Sequence, residues 1–496
     1  MAELLKINNL IVGFENPQGE LTAVKGVSLA LDKGETLALV GESGCGKTVL
    51  CKSMLKILCE KGRIRQGEIL LEGKNLIPVT EREMTALRGG DIAMVFQDPM
   101  TSLDPAFSVG EQIAEVLRIH KKLSKEDAKA QAIKLMEMVK IPDAELRYDQ
   151  RPYQFSGGMR QRIVIAIALA GEPELLLADE PTTALDEETQ EEILKLLKEV
   201  RRQTKVAVLF ITHDLSLVED IADRVAIMKD GQVVEQGDVK EVFAAPQHEY
   251  TKKLLGYLDY KKGTGHNHAA SISREAEPVV TVKNLSKSFA VGKNNVNHVL
   301  NDFSMEIYRG EILGMTGKSG CGKSTLARCI MGLEKPNEGN VWIKEGLRTQ
   351  MIFQDSQASF NERMTVEQII AEPLRINMKA NTKKNGKDNG RRYNSADIKE
   401  AVTTSMSKVE LDSQFASRKP YELSGGQRQR VAIARALITE PDFIIADEPL
   451  TGLDVSAQAQ ITHLLKKLAD EQNLTILFIA HDIPMVKHIS SRIIQM

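Results

Sequence analysis

The stretch Gly41-Glu42-Ser43-Gly44-Cys45-Gly46-Lys47-Thr48 constrains this chain more than any other, because its pattern recurs as Gly317-Lys318-Ser319-Gly320-Cys321-Gly322-Lys323-Ser324. Each copy reads G-x-x-x-x-G-K-[ST], follows an apolar run (Thr36 to Val40; Ile312 to Thr316) and precedes a helical-looking segment. A strand, a glycine-rich loop and a helix in that order form a phosphate cradle. The glycines let backbone N–H groups approach phosphate oxygens, and the helix N-terminus favours negative charge. Lys47 and Lys323 add a point charge, while Thr48 and Ser324 offer a hydroxyl suited to a divalent cation.

The spacing of other landmarks identifies a duplicated domain. Lys47 to Lys323 spans 323 − 47 = 276 residues, whereas Ser156 to Ser424, Asp179 to Asp447 and His213 to His481 each span 268. A period this long means a repeated domain, not a solenoid. The second copy is shorter from loop lysine to glutamine (354 − 323 = 31 against 97 − 47 = 50). It is longer from glutamine to serine (424 − 354 = 70 against 156 − 97 = 59). The chain is therefore expected to hold one domain over 1–258, a Gly/Ser-containing linker over 259–278 and a second domain over 279–496. His266 and His268 in that linker read as solvated rather than metal-binding. The basic stretch Met378 to Asn394 reads as a solvated surface loop, with contact to anionic headgroups as the alternative.

With a net charge of −3, the chain lacks the electrostatic footprint of a dedicated nucleic-acid binder. No apolar run approaches 18 residues, so no transmembrane helix is expected, and the N-terminus does not read as a signal peptide. The five cysteines lack zinc-like spacing, and a reducing compartment suits them. Redox sensitivity at Cys45 and Cys321 is the alternative to a small residue tolerated in each loop. The second is favoured, because reactivity needs exposure.

Leu175-Leu176-Leu177-Ala178-Asp179-Glu180 and Phe443-Ile444-Ile445-Ala446-Asp447-Glu448 are apolar runs ending in two acids. Such runs suit buried parallel strands of an α/β fold, and their carboxyl ends are where these folds place ligands. One carboxylate there can hold Mg²⁺ and the next can polarise an attacking water. Ser156-Gly157-Gly158 and Ser424-Gly425-Gly426 each precede a helix-period run and lie 23 residues before the acids (179 − 156; 447 − 424). A serine and two glycines at a helix start form a second anion site.

Together these residues resemble the ATP-binding-cassette ATPases over nearly the whole chain. The resemblance implies two tandem P-loop NTPase domains, each with a RecA-like core, an antiparallel β subdomain and a helical subdomain carrying the Ser-Gly-Gly signature. It implies ATP and Mg²⁺ as ligands. ATP contacts are expected from each phosphate loop and the residue after it, Val49 and Thr325. Gln97 and Gln354, the two signatures, and more loosely Phe14 and Phe289 as adenine-stacking rings, complete them. Thr48, Gln97 and Asp179, and in the second copy Ser324, Gln354 and Asp447, are the implied Mg²⁺ set. Glu180 and Glu448 are implied as bases, with His213 and His481 as switch histidines and Lys47 and Lys323 as catalytic cations. Thr183-Ala184-Leu185-Asp186 and Thr451-Gly452-Leu453-Asp454 match the loop after the acids. The two domains are expected to close head to tail, each phosphate loop facing the other domain's signature. Both sites are expected to hydrolyse ATP, although Met159 stands where the second signature has Gln427, and Phe155 where it has Leu423.

Asp98-Pro99-Met100-Thr101-Ser102-Leu103-Asp104-Pro105 and the segment from Ala245 to Leu255 resemble the peptide and nickel importers. That implies two transmembrane permease subunits, an extracellular substrate-binding protein, no nucleic acid, and a peripheral position on the cytoplasmic face of the membrane. Compared with the first domain, the second stops soon after His481, which implies that its last hairpin and closing helix are missing. No cysteine cluster for iron and sulfur is present. The rival is a soluble tandem ATPase acting on ribosomes or DNA. Against it stand the short linker and the lack of zinc-binding cysteines. A small-molecule kinase would leave the duplicated signature unexplained.

Overall fold

The computed structural model describes residues 2–16, 19–42, 44–182, 185, 187–261, 277–291, 295–318, 320–354, 359–383 and 394–496. The chain divides into two compact units, Met1–Gly256 and Tyr257–Met496. Expectations about His266, His268, most of the 259–278 linker, and 384–393 of the basic loop fall outside the described residues.

In the first unit, β1 (Glu3–Asn16), β2 (Gly19–Asp32), β4 (Gly62–Leu71) and β5 (Lys74–Asn75) form an antiparallel sheet in the order β2-β1-β4-β5. The core sheet contains β3 (Thr36–Val40), β6 (Ile92–Val95), β7 (Leu175–Asp179), β8 (Ala207–Thr212), β9 (Arg224–Lys229) and β10 (Gln232–Asp238), ordered β10-β9-β3-β8-β7-β6. Its pairs are parallel from β9 to β6, and only β10 runs antiparallel. Every residue of β3, β6, β7 and β8 is buried. This is why these strands read as unbroken apolar runs: both faces are covered, so no alternation is required. Phe210 on β8 is fully buried, and a side chain of that size contributes about 1.5–3 kcal/mol through burial.

Helix α1 (Lys47–Met54) follows the phosphate loop and ends before the chain turns through left-handed Lys56 (φ = +53°). The helical subdomain comprises α2 (Val109–Lys121), α3 (Lys125–Met138) and α4 (Gly157–Leu169). Ser108 and Ser124 cap the first two by accepting from the N–H groups of Glu111 and Asp127, a device that removes an orphan donor and contributes about 1 kcal/mol. Ile113 and Leu117 of α2, Ala128, Ala132 and Met136 of α3 and Ile163 of α4 share one apolar core. Helix α5 (Glu187–Thr204) adds Ile193, Leu196, Leu197 and Val200, at helical spacing, to the same core. Helix α6 (Glu249–Lys261) begins in this unit, runs past its last residue, Gly256, and extends three residues into the stretch read as linker. Buried Tyr250, Thr251 and Leu254 anchor its first turns.

The second unit repeats the plan. An antiparallel sheet orders β12 (Asn295–Tyr308), β11 (Pro278–Val291) and β14 (Glu338–Ile343) as β12-β11-β14. A parallel sheet joins β13 (Ile312–Thr316), β15 (Thr349–Ile352), β16 (Phe443–Asp447), β17 (Thr475–Ile479) and β18 (Arg492–Gln495) in the order β15-β16-β17-β13-β18. Its helices of eight or more residues are α7 (Lys323–Ile330), α8 (Val366–Lys383), α9 (Ser395–Lys408), α10 (Gly425–Leu437) and α11 (Val455–Gln472), and a short helix, Ile483–Ile489, follows β17. No described helix is long and apolar enough to cross a membrane.

Candidate functional site

Four neighbouring strands deliver the candidate groups of the first unit to one edge of the core sheet. The phosphate loop leaves the end of β3, Asp179 ends β7 with Glu180 beyond it, His213 follows β8, and Gln97 follows β6. All four are carboxyl ends of parallel strands, the edge where open α/β sheets bind ligands. Sequence distances as long as the 131 residues from Thr48 to Asp179 become one hydrogen bond: Thr48 Oγ1 donates to Asp179 Oδ1 at 3.0 Å.

The loop itself needs its glycines. Gly46 adopts φ = +104°, and a Cβ there would lie 2.5 Å from the Ala23 carbonyl oxygen. At Gly41 a Cβ would meet the Met228 carbonyl oxygen at 2.2 Å. Lys47, only 4% exposed, donates from Nζ to the carbonyls of Gly41 (2.6 Å) and Glu42 (2.9 Å) and lies 4.0 Å from Glu180 Oε1. It is thus held inside the loop curve. Ser43, Thr183, Ala184 and Asp186 fall outside the described residues, as do Ser319 and Asp355.

Glu180 is 9% exposed and sits in left-handed backbone, φ = +47°, with its N–H donating to the Ile211 carbonyl. Glu448 repeats this at φ = +46°, bonded to Ile479. A non-glycine residue is uncommon there, and such strain concentrates at functional sites. The turn breaks each strand right after its aspartate, so both acids face the ligand edge. Gln97 Nε2 donates to Glu180 Oε2 at 3.0 Å, and His213 Nδ1 lies 3.2 Å from the same oxygen. Burial pushes the Asp179 carboxyl above its usual range; the Thr48 hydrogen bond opposes this and the Glu180 charge adds to it.

The second unit builds the matching set. Ser324 Oγ donates to Asp447 Oδ1 at 3.0 Å, Lys323 Nζ to the carbonyls of Gly317 (2.8 Å) and Lys318 (3.0 Å), and Gln354 Nε2 to Glu448 Oε2 at 2.7 Å. Burial likewise raises Asp447, again opposed by the hydroxyl bond. One feature of the second unit has its first-unit counterpart, Thr183, outside the described residues, and one difference separates the described residues. Thr451 Oγ1 donates to Glu448 Oε2 at 3.3 Å, and His481 is exposed where His213 is half-buried.

Each signature serine caps its helix, as its sequence position suggests. Ser156 accepts from the Met159 N–H and Ser424 from the Gln427 N–H, both at 3.3 Å. Gln427 also returns a bond, its Oε1 accepting from the Ser424 N–H at 3.0 Å, which closes a capping box. Met159 has no acceptor to do so; that is the physical content of the Met/Gln difference. Gly158 is required by packing, since a Cβ would lie 2.4 Å from Thr189 Cγ2 on α5. Of the adenine candidates, Phe14 is half-buried against the core of the antiparallel sheet, and Phe289 is 37% exposed with Lys287 Nζ 4.9 Å from its ring centre. Cys45 is buried, and burial pushes its thiol up, against the lowering effect of Lys47; both features suit a small packed residue.

Sequence reasoning did not find the left-handed glutamates, because glutamate carries no local signal for φ > 0. It also missed the hydroxyl of Tyr250, which accepts from the N–H of Glu42 in the phosphate loop at 3.3 Å.

Comparison with known proteins agrees with this geometry. A family profile described as ABC transporter matches residues 24–183 and again 300–451. The glutathione import ATP-binding protein GsiA of Pectobacterium atrosepticum is 38% identical, over 99% of this chain and 84% of its own length. GsiA of Escherichia coli K12 is 39% identical with the same coverage. Among solved structures, a dimeric ATP-binding cassette in a post-hydrolysis state with ADP and Pi is 28% identical over 48% of this chain and 99% of its own, with a TM-score of 0.44. A family pattern matched twice, with relatives aligned from end to end of the chain, leaves one assignment: this protein belongs to the ATP-binding-cassette transporter family and carries two of its ATP-hydrolysing domains in one chain.

Proposed function

We propose that this chain powers an importer of peptides or a related small solute such as glutathione or a nickel complex. The observation that carries this reading is the doubled strand-end set of lysine, hydroxyl, aspartate, glutamate and glutamine, in a chain whose relatives are named glutathione import ATP-binding proteins. The reading includes two transmembrane permease subunits, an extracellular substrate-binding protein and a peripheral place on the cytoplasmic membrane face. It includes domains over 1–258 and 279–496 that pair head to tail, so that Ser424-Gly425-Gly426 faces the first phosphate loop and Ser156-Gly157-Gly158 the second.

In this mechanism each phosphate loop binds the ATP phosphates through backbone N–H groups and its lysine, while Phe14 and Phe289 stack on adenine. Phosphoryl transfer asks the protein mainly to position groups and neutralise charge. Glu180 and Glu448 take the proton of the attacking water. Gln97 and His213 lie beside the same Glu180 oxygen, so they hold that carboxylate in place and sense the γ-phosphate next to it.

Mg²⁺ fits the donors present. A hydroxyl and a carboxylate joined at 3.0 Å in each unit are hard oxygen ligands too few to cage a cation, which suits a metal that completes its shell with phosphate oxygens and water. Thr48 with Asp179, and Ser324 with Asp447, would hold it, and Gln97 and Gln354 lie at the same edge. When bound, it neutralises charge on the β- and γ-phosphates. EDTA is expected to abolish ATP turnover and added Mg²⁺ to restore it; turnover that survives chelation would remove the metal from the reading.

The function is tested by purifying the tagged chain from gently solubilised native membranes and identifying its companions by mass spectrometry. Two multi-span membrane proteins are expected. Ribosomal or DNA-repair proteins, with none from the membrane, would overturn the importer reading in favour of the soluble rival.

A further inference from the structure

The segment from Ala245 to Leu255 has no part in the chemistry above, yet its helix touches the first phosphate loop. Just before α6 the chain turns at Gln247-His248 against Glu235 of β10. Glu235 Oε1 accepts from the Gln247 N–H at 2.8 Å and Oε2 from the His248 N–H at 3.0 Å. The Tyr250 N–H donates to His248 Nδ1 at 3.1 Å. Thr251 and Leu254 are buried behind it, and Lys229 Nζ lies 5.1 Å from the Tyr250 ring centre. The turn therefore fixes where the Tyr250 side chain goes. It goes, 6% exposed, to the Glu42 N–H.

The Gly41–Glu42 peptide is gripped from both sides. Its N–H, that of Glu42, donates to Tyr250, and its carbonyl, that of Gly41, accepts from Lys47 Nζ at 2.6 Å. The hairpin between β9 and β10 supports the loop twice more: the Gly231 N–H donates to the Cys45 carbonyl at 3.1 Å, and the Met228 carbonyl closes over Gly41. We propose that Tyr250 is a positioning residue for the first ATP site: its hydroxyl fixes the Gly41–Glu42 peptide, and through the Gly41 carbonyl of that peptide the resting place of Lys47. The loop is thereby held in its phosphate-binding shape before ATP arrives, and binding incurs less of the ordering cost. The Tyr250 hydroxyl meets the first loop, and the Gly317–Ser324 loop is touched by the Met496 carbonyl at the position where the first loop meets Met228.

Tyr250→Phe removes the hydroxyl and keeps the ring, its packing and its contact with Lys229. The test uses the full chain, photolabelled with an azido-ATP at sub-saturating concentration. Tryptic peptides from the two domains are then quantified separately. One net hydrogen bond is small, so the expected effect is about a 3–10-fold fall in labelling of the first domain relative to the second. The ATP KM is expected to rise while kcat stays within about twofold and the melting temperature falls by no more than about 2–4 °C, the cost of one hydrogen bond in a domain of this size. His248→Ala, which loosens the same turn, is expected to move the ratio in the same direction. An unchanged ratio in Tyr250→Phe, or an equal fall at both sites, would overturn the proposal. The inference rests on the Gly41–Thr48 loop being an ATP site: a parent chain with no label on its first domain would overturn that reading and this one together.

Discussion

Glu180→Gln combined with Glu448→Gln is expected to lower steady-state ATP turnover by about 10²–10⁴-fold, the contribution typical of a positioned general base. This corresponds to about 3–5 kcal/mol of barrier. Glutamine keeps the size of the side chain and its ability to accept from Gln97 or Gln354, and it tolerates the left-handed backbone as glutamate does. What it lacks is a carboxylate able to take the proton of water. ATP binding should therefore survive in the double variant, as read by nucleotide titration. Each single variant is expected to reduce turnover, because both units assemble lysine, hydroxyl, aspartate and glutamine around their glutamate. Full turnover in Glu180→Gln beside none in Glu448→Gln would mean that only the second site hydrolyses ATP, in spite of the closer His213 in the first.

Lys47→Ala with Lys323→Ala should act on binding as well as on turnover. Each ammonium is 4% exposed and placed inside its loop by two carbonyls. Hydrogen bonds to a charged group contribute about 1.5–3 kcal/mol, so losing the contact to phosphate should weaken ATP binding by about 10–10²-fold. The variant also leaves loop carbonyls without their donor, which loosens the cradle. Titration of the double variant with a fluorescent ATP analogue checks this. Unweakened binding would show that these lysines do not reach the phosphates. The two pairs of variants separate the roles: glutamates act on the chemical step, lysines on the nucleotide.

The divisions of labour between neighbouring residues were written in local patterns. Apolar runs closing in Asp179-Glu180 and Asp447-Glu448 could be read as buried parallel strands, because strands covered on both faces show no alternation. The phosphate loops were legible because glycine at left-handed positions such as Gly46 leaves a mark in the sequence. The signature helices were legible through their serine caps, and α4 and α10 begin directly after those serines.

Other features depended on the fold. Nothing local distinguishes Glu180 from an ordinary glutamate; its left-handed backbone arises where the chain leaves β7 and its N–H finds Ile211 on the neighbouring strand. The contrast between half-buried His213 and exposed His481 lies in packing: an aspartate follows each, and nothing in the residue before them, Thr212 or Ala480, announces which is covered. Tyr250 lies 208 residues from Glu42, and only the order of β3, β9 and β10 in one sheet brings its helix to the phosphate loop. The sequence by itself determined the duplication, the strand-end chemistry and the anion-binding helix starts, because each depends on residues within a few positions of one another. The tertiary structure decided which carboxylate oxygen meets which donor and what braces the first loop, because those contacts join distant segments whose approach no short-range preference specifies.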